Sequence, residues 1–465
     1  MGSVTRDRRE ATAYEAGPGA SERAVKGRQT ELDGLRAMAV LCMVAYHGFF
    51  LAPVTWPWSY PWLLRFDVSV QVFFMLSGFL IYGPYTWAHL RGTRPPALGR
   101  YLLRRAARVY PAYWAAVGAM ALLGWVHFAD GAQVLQHLTL TQGYFPREGA
   151  HLVYTPGLGQ AWTLVVEVSF YAFVPAWAWA MRRLATAGRV DPFRQEVAGA
   201  LMLFAAGVGA GTIVAARTLP IPFAVLPPHL TSLSWGMLLA VLATRLPGRA
   251  PALAPAPAAE PAWVTTAGDV AHVSISPELA EVVDTATDRP RPDVRERLRG
   301  SATELSWLAA WAVLALGCLR LDELSDDPGH LLVLQVVNVT AGALLVTPVM
   351  LGAPGRGWVQ GLLTWRPLVF LGVVSFGIYL WHLDVLVDLP GTWAAAPSGA
   401  ALTGMAVKVV VATAAGVASF YLLERPLMRA AAHLTDRFRR AEPTRPAPGL
   451  PGVPERHDVA VGVEQ

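Results

Sequence analysis

Arg36 and His47 are two residues near the start of the chain whose types and spacing could do chemistry together. Ten residues separate them in an apolar segment, and eleven steps of about 100° bring both side chains to within about 20° of one direction on a helix. At about 1.5 Å per residue, the guanidinium lies roughly 16 Å from the imidazole along the axis. Arginine binds anions and histidine is a common general base, so this helix face predicts a tunnel with an arginine at its mouth and a histidine inside. The alternative for His47 is a packed histidine that donates to a backbone carbonyl.

A second group of cations precedes the third apolar segment. Arg104, Arg105 and Arg108 are spaced so that a helix would gather their guanidinium groups on one side. Guanidinium groups match phosphate oxygens in bidentate geometry, which predicts a clamp for an anionic, phosphate-bearing ligand. The alternative is that these arginines only fix the orientation of the helix in the membrane.

Polar residues inside other apolar segments complete the candidate site. Glu167 is a carboxylate in an apolar zone, where it needs a partner, and we expect it to orient or charge-balance His47 or to contact an acceptor hydroxyl. Ser375, Tyr379 and His382 form a polar stripe on one face of a later helix, and we expect them to bind substrate. For both groups, hydrogen bonding between helices is the structural alternative.

These residues require a scaffold that crosses a membrane. Of the 465 residues, 54% are hydrophobic and 15% are charged, which is too apolar for an ordinary soluble domain. Hydropathy predicts an all-α, polytopic transmembrane helix bundle of about ten spans. The predicted spans are 34–52, 66–87, 109–128, 161–181, 197–216, 230–246, 304–321, 331–352, 368–388 and 399–422. Cys42 and Cys318 lie within them, so we expect no disulfide framework and no metal site.

The basic residues predict the orientation of the bundle. Nearly all of the 38 Lys and Arg residues fall in the amino tail, the even-numbered connections and the carboxyl tail. By the positive-inside rule, both termini are cytoplasmic. Residues 1–30 and 441–465 are polar or Pro/Gly-rich, and we predict that they are disordered tails flanking a transmembrane domain at 31–440. Within that domain, the Pro/Ala-rich segment 247–303 is predicted to be a flexible cytoplasmic loop.

Taken in order, several stretches resemble the membrane-bound acyltransferase-3 family of polytopic O-acyltransferases. They are Leu32-Asp33-Gly34-Leu35-Arg36 with His47, Phe73-Phe74 through Ser77-Gly78-Phe79, Arg105-Ala106-Ala107-Arg108-Val109-Tyr110-Pro111, Trp162 with Glu167 and Phe170-Tyr171, Tyr379-Leu380-Trp381-His382, and Glu424-Arg425-Pro426. The resemblance implies an acyl-coenzyme A co-substrate, with acetyl-coenzyme A expected, used from the cytoplasm and without a metal. It also implies that the pair Arg36 and His47 and the pair Arg105 and Arg108 are the functional motifs. Two positions depart from the family: Gln71 replaces a frequent aspartate, and Asp384 replaces an apolar residue or proline.

The predicted function is that of an integral O-acyltransferase of the cell membrane. It would move an acyl group from acyl-coenzyme A to a hydroxyl of a sugar, a glycan or a secondary metabolite such as a macrolide. Arg36, Arg105 and Arg108 would hold the donor phosphates, and His47 would act as general base or, alternatively, carry the acyl group. The rival hypothesis is a proton-coupled exporter that uses His47 and Glu167 as a proton relay. A third is a sensor without catalysis. The expected partners are the donor, the acceptor and the lipid bilayer, not nucleic acid, and the predominance of Arg over Lys suggests a bacterial source.

Overall fold

A computed structural model describes residues 18–50, 60–145, 158–187, 190–217, 223–246, 294–320, 327–352, 357–389 and 399–441. These ranges are helical and contain no strand, which confirms the predicted all-α class. The helices are α1 (Pro18–Phe50), α2 (Tyr60–Leu64), α3 (Val68–Leu90), α4 (Leu98–Leu122), α5 (Gly131–Thr139), α6 (Trp162–Ala187), α7 (Pro192–Ala215), α8 (Leu226–Ala243), α9 (Val294–Arg320), α10 (Pro328–Leu351), α11 (Trp358–Leu363), α12 (Arg366–Val373), α13 (Ser375–Asp388), α14 (Gly399–Ser419) and α15 (Arg425–Ala441). Short 3₁₀ turns occupy Arg65–Asp67, Gln142–Tyr144 and Gly159–Ala161, and a π turn at Phe420–Glu424 joins α14 to α15.

Seven helical stretches in the described part of the chain are long and apolar enough to cross a membrane. The predicted span 368–388 is broken, because α12 and α13 meet at a bend of 75°, and the pair counts as an eighth span if it crosses as one. Helices α1 and α4 are not among these stretches. Their apolar parts, which follow Arg36 and Arg108, have only about 14 residues, against the roughly 20 that a span needs. The total of ten spans and the orientation of the termini therefore stay predictions.

The predicted tails and loop differ from the observed helix limits. Helix α1 begins at Pro18, inside the predicted tail 1–30, because the sequence around Glu22 to Lys26 is rich in good helix formers. Residues 1–17 lie outside the described residues. Helix α9 begins at Val294, inside the predicted loop 247–303, and helix α15 continues to Ala441. The remaining parts of that loop and of the carboxyl tail, 247–293 and 442–465, also lie outside the described residues.

Glycines allow the central helices to touch backbone to backbone. A Cβ atom at Gly78 would overlap the carbonyl oxygen of Leu233, and one at Gly236 would overlap that of Met75, so α3 and α8 are in direct contact. Small residues at such crossings let helices approach closely in a membrane, where there is no hydrophobic drive for association. The stretch around Ser77 and Gly78 therefore has a packing role.

Glycine contacts also hold α1 against the helices that lead into α13. A Cβ atom at Gly34 would overlap the carbonyl oxygen of Leu363 at the end of α11, and one at Gly372 would overlap that of Asp33 on α1. Directly after Gly372, the bend at Val374 turns the chain into α13, which packs on α1 and on α14. Helix α13 is thus held against the helix that carries Arg36 and His47.

Candidate functional site

A cavity lies between α1, α3, α4, α6 and α13. Its lining combines apolar residues such as Met43, Phe73 and Phe376 with polar and charged side chains. The lining includes Arg36, Arg105, Arg108, Glu167, Ser375 and Tyr379, which are the predicted site residues other than the two histidines. Five separate helices therefore bring these predicted residues to one concave site with both apolar and polar lining, as is usual for a small-molecule site.

Arg36 and Arg108 form a basic end of this cavity, with carboxylates beside them. Arg36 Nη1 donates a hydrogen bond of 2.6 Å to Asp33 Oδ1, one turn earlier on α1. The Arg36 guanidinium is close enough to Arg108 and Glu167 to interact with both electrostatically, and Glu424 is similarly close to Arg108. Two like charges held side by side favour an anion that can bridge them.

Arg105 is positioned by aromatic rings. Its guanidinium carbon lies 5.8 Å from the ring centroid of Tyr101 and 5.5 Å from that of Tyr171. Tyr101 Oη in turn donates to the backbone oxygen of Tyr171 at 3.1 Å, which ties α4 to α6. Arg104, by contrast, is exposed, so α4 directs Arg105 and Arg108 but not Arg104 into the cavity. The possible three-arginine cluster is therefore reduced to a pair.

Glu167 lies at the arginine end and does not take the predicted place beside His47. Its Oε1 accepts a hydrogen bond of 2.6 Å from Tyr171 Oη and a longer one of 3.5 Å from Ser77 Oγ. The hydroxyl of Tyr171 lies one helical turn from Glu167, a spacing that could have been found in the sequence. A carboxylate between a phenol and an arginine balances charge in the apolar zone, as a buried ion requires.

His47 contacts His382, which the sequence analysis had assigned to substrate binding. The distance from His47 Nδ1 to His382 Nε2 is 3.0 Å, and the ring centroids are 5.0 Å apart. His47 Nδ1 also lies 3.1 Å from the carbonyl oxygen of Met43, and His382 Nδ1 lies 2.8 Å from that of Tyr379. Met43 and Tyr379 both line the cavity, so the histidine pair is attached to its wall, one turn beyond each.

Tyr379 and α13 are fixed by residues that the sequence analysis missed. Tyr379 Oη is hydrogen-bonded to Thr163 Oγ1 at 2.6 Å and to the carbonyl oxygen of Gln160. Gln160 Nε2 donates to Asp384 Oδ2 at 2.6 Å and to the carbonyl oxygen of Leu380 at 2.8 Å. Asp384 therefore joins α13 to the turn before α6. No local pattern in the sequence marks Gln160 as its partner.

An all-helical bundle whose apolar helices enclose a cavity with arginines and a histidine pair defines a multi-pass membrane protein with an internal polar site. The family model for the acyltransferase-3 family, described as an acyltransferase domain, matches residues 29–190. Residues 29–190 are therefore similar to the acyltransferase domain of the family that the motifs resemble.

Two curated relatives agree with this assignment. The "Exopolysaccharide production protein ExoZ" of Rhizobium meliloti (strain 1021) is 27% identical over 366 residues, which are 78% of this chain and 89% of the relative. The "Putative membrane-bound transacylase BcsY" of Komagataeibacter xylinus is 26% identical over 159 residues, 32% of this chain and 37% of the relative. No solved structure matches this chain significantly.

Proposed function

We propose that this protein takes an acyl group, in the simplest case acetyl, from acyl-coenzyme A at the cytoplasmic side of the cell membrane and transfers it to a sugar hydroxyl of a polysaccharide or its precursor. The observation that carries the proposal is the arrangement of the cavity. Arg36, Arg105 and Arg108 line it, and so do Met43 and Tyr379, whose backbone oxygens contact the histidine pair.

The arginines suit the donor. Coenzyme A carries several phosphate groups, and guanidinium forks bind phosphate oxygens with short, charge-assisted hydrogen bonds. Two of the arginines come from the polar first half of α4, which the positive-inside rule puts at the cytoplasmic side, where coenzyme A thioesters are available. From Arg36, the helix rises about 16 Å to His47, which gives an extended thioester arm room to reach the base.

His47 then acts as the general base. It takes the proton of the acceptor hydroxyl while the hydroxyl oxygen attacks the thioester carbonyl carbon and forms the new ester bond. The carbon–sulfur bond breaks, and the proton passes from His47 to the leaving thiolate, so that free coenzyme A is released. Glu167 balances the positive charge of the three arginines and takes no proton in these reaction steps.

The acceptor class rests on the relative that covers most of the chain. That relative is named for exopolysaccharide production, which favours a saccharide hydroxyl over a macrolide. An exporter with a proton relay between His47 and Glu167 is not favoured, because Glu167 is bonded to Tyr171 and Ser77 and the neighbour of His47 is His382.

The test uses the full chain in detergent or nanodiscs with radiolabelled acetyl-coenzyme A. De-O-acylated exopolysaccharide oligosaccharides are offered as acceptors, with a macrolide as the comparison, and products are identified by mass spectrometry. We expect labelled oligosaccharide and free coenzyme A. The variant His47→Ala should still insert but lose about 10² to 10⁴ in kcat.

Four results would contradict parts of the proposal. An intact thioester in the presence of all acceptors would favour an exporter, and a labelled macrolide without labelled sugar would overturn the acceptor class. Turnover by His47→Ala close to that of the wild type would remove His47 as the base. Stable label on the protein when acceptor is omitted would replace direct attack by an acyl-histidine intermediate.

A further inference from the structure

We infer that His382 is a positioning residue for His47: it accepts the hydrogen bond that fixes the ring of the base and supports the positive charge that forms there. The inference rests on the proposed function of His47 and adds a residue from the opposite end of the chain. His382 lies 335 positions from His47 in sequence, on α13, and is completely buried.

The proton positions follow from two backbone carbonyl groups. A carbonyl oxygen only accepts, so His382 Nδ1, at 2.8 Å from the Tyr379 oxygen, carries a proton. In a neutral imidazole the lone pair is then on Nε2, the atom that faces His47. The assignment comes from the hydrogen-bond partners of each ring.

The hydrogen-bond partners of His47 lead to the same proton positions. His47 Nδ1 lies 3.1 Å from the Met43 carbonyl oxygen and 3.0 Å from His382 Nε2, so one N–H is shared between two acceptors. The reverse arrangement would place a lone pair against a carbonyl oxygen on each ring. The proton of His47 is therefore on Nδ1, and the lone pair that accepts the proton of the acceptor hydroxyl is on Nε2.

This geometry matters most during the reaction. When His47 Nε2 takes a proton, the ring becomes an imidazolium, and its Nδ1–H bond to His382 becomes a hydrogen bond from a charged donor, which is about twice as strong as a neutral one. A neutral ring as the acceptor supports this charge without adding a buried carboxylate. His382 itself neither gains nor loses a proton.

The surroundings of His382 keep it in this position. Its Nδ1 is bound to the preceding turn of the same helix, and Gln160 bonds to both Leu380 and Asp384 on either side of it. The bend at Val374 aims this short helix at α1. A histidine that only satisfied its own helix would need the contact with Tyr379 and not the one with His47.

The two contacts can be separated by two variants of His382. In His382→Asn, the side-chain amide occupies roughly the position of Nδ1, so it keeps the bond to Tyr379 and loses the acceptor for His47. In His382→Gln, the longer side chain reaches roughly the position of Nε2 and supplies an acceptor oxygen. The comparison therefore distinguishes positioning of the base from packing of α13.

The experiment measures kcat and donor KM for both variants with acetyl-coenzyme A and the acceptor from the test above, together with thermal stability in detergent. We expect His382→Asn to lower kcat by about 10- to 100-fold, as for the loss of one hydrogen bond to a charged group, with donor KM changed less than about twofold. His382→Gln should retain kcat within about tenfold of the wild type. In a His47→Ala background, His382→Asn should cause no further loss.

Wild-type kcat in a folded His382→Asn protein would overturn the inference, as would equal losses in both variants with reduced thermal stability. If the Asn variant does not fold, the Gln variant decides, and a loss as large as that of His47→Ala would count against the inference. If only this inference is wrong, His47→Ala still loses its activity. If the proposed function is wrong, His47→Ala stays active.

Discussion

Removal of the Arg108 side chain should weaken binding of the acyl donor and leave the chemical step unchanged. Arg108 lines the cavity close to Arg36 and Glu424, and no bond of the reaction changes at this end. If it binds a phosphate of acyl-coenzyme A, Arg108→Ala removes a hydrogen bond between charged groups, worth about 1.5–3 kcal/mol. At about 1.4 kcal/mol per factor of ten, donor KM should rise about 10- to 100-fold. Arg36 and Arg105 remain, so the lower part of that range is expected.

The chain offers a matched control on the same helix. Arg104 carries the same charge but is exposed, so Arg104→Ala removes one cation from the same face of the protein without altering the cavity. Donor KM should then change less than about twofold, since exposed charges are screened by salt. Both variants are assayed for kcat and KM with purified protein.

A second donor tests the phosphate contact itself. The acetyl thioester of pantetheine has the reactive group of the donor but no phosphate, so its KM should be the same for the wild type and Arg108→Ala. An equal rise in KM for both donors, or an unchanged KM for acetyl-coenzyme A, would refute phosphate binding by Arg108. Arg108 would then be a residue that only orients the helix.

The remaining predictions concern packing and charge. Gly34→Ala should destabilise the protein in thermal denaturation in detergent, because its Cβ would overlap the Leu363 carbonyl oxygen, whereas Gly118→Ala has nothing within 4 Å of the new atom and should be neutral or slightly stabilising. Equal melting temperatures for the two variants would refute the backbone contact between α1 and α11. Glu167→Gln should lower donor KM several-fold with little change in kcat, since it removes a negative charge beside Arg36. A loss in kcat above about tenfold at unchanged donor KM would return Glu167 to a catalytic role.

The local parts of the site could be predicted from the sequence. Helical periodicity is enough to align Arg36 with His47 and to pair Arg105 with Arg108, because these residues share one helix. Which arginines of α4 face inward is decided by packing against Tyr101 and Tyr171, and the sequence therefore left Arg104 among the candidates.

The contacts between distant helices could not be predicted in this way. Glu167 was assigned to His47 because it was a suitable buried charge, but the packing of the helices places it near Arg36. The bend at Val374 has no proline to mark it and arises where Gly372 lets α12 touch the backbone of α1. A single sequence does not record such long-range contacts.

The helices that follow the family match contribute to the proposed site. The match ends at residue 190, so it contains the arginines and His47 but not α13. The lone pair of His47 is directed by Met43 from within the match and by His382 from outside it. Tyr379 on α13 is hydrogen-bonded to Thr163 on α6, and the bend after α12 brings α13 to that position. The first part of the chain thus carries the residues proposed to bind the donor and to act as the base, and α13 carries the residue proposed to orient that base, so neither part forms the proposed site without the other.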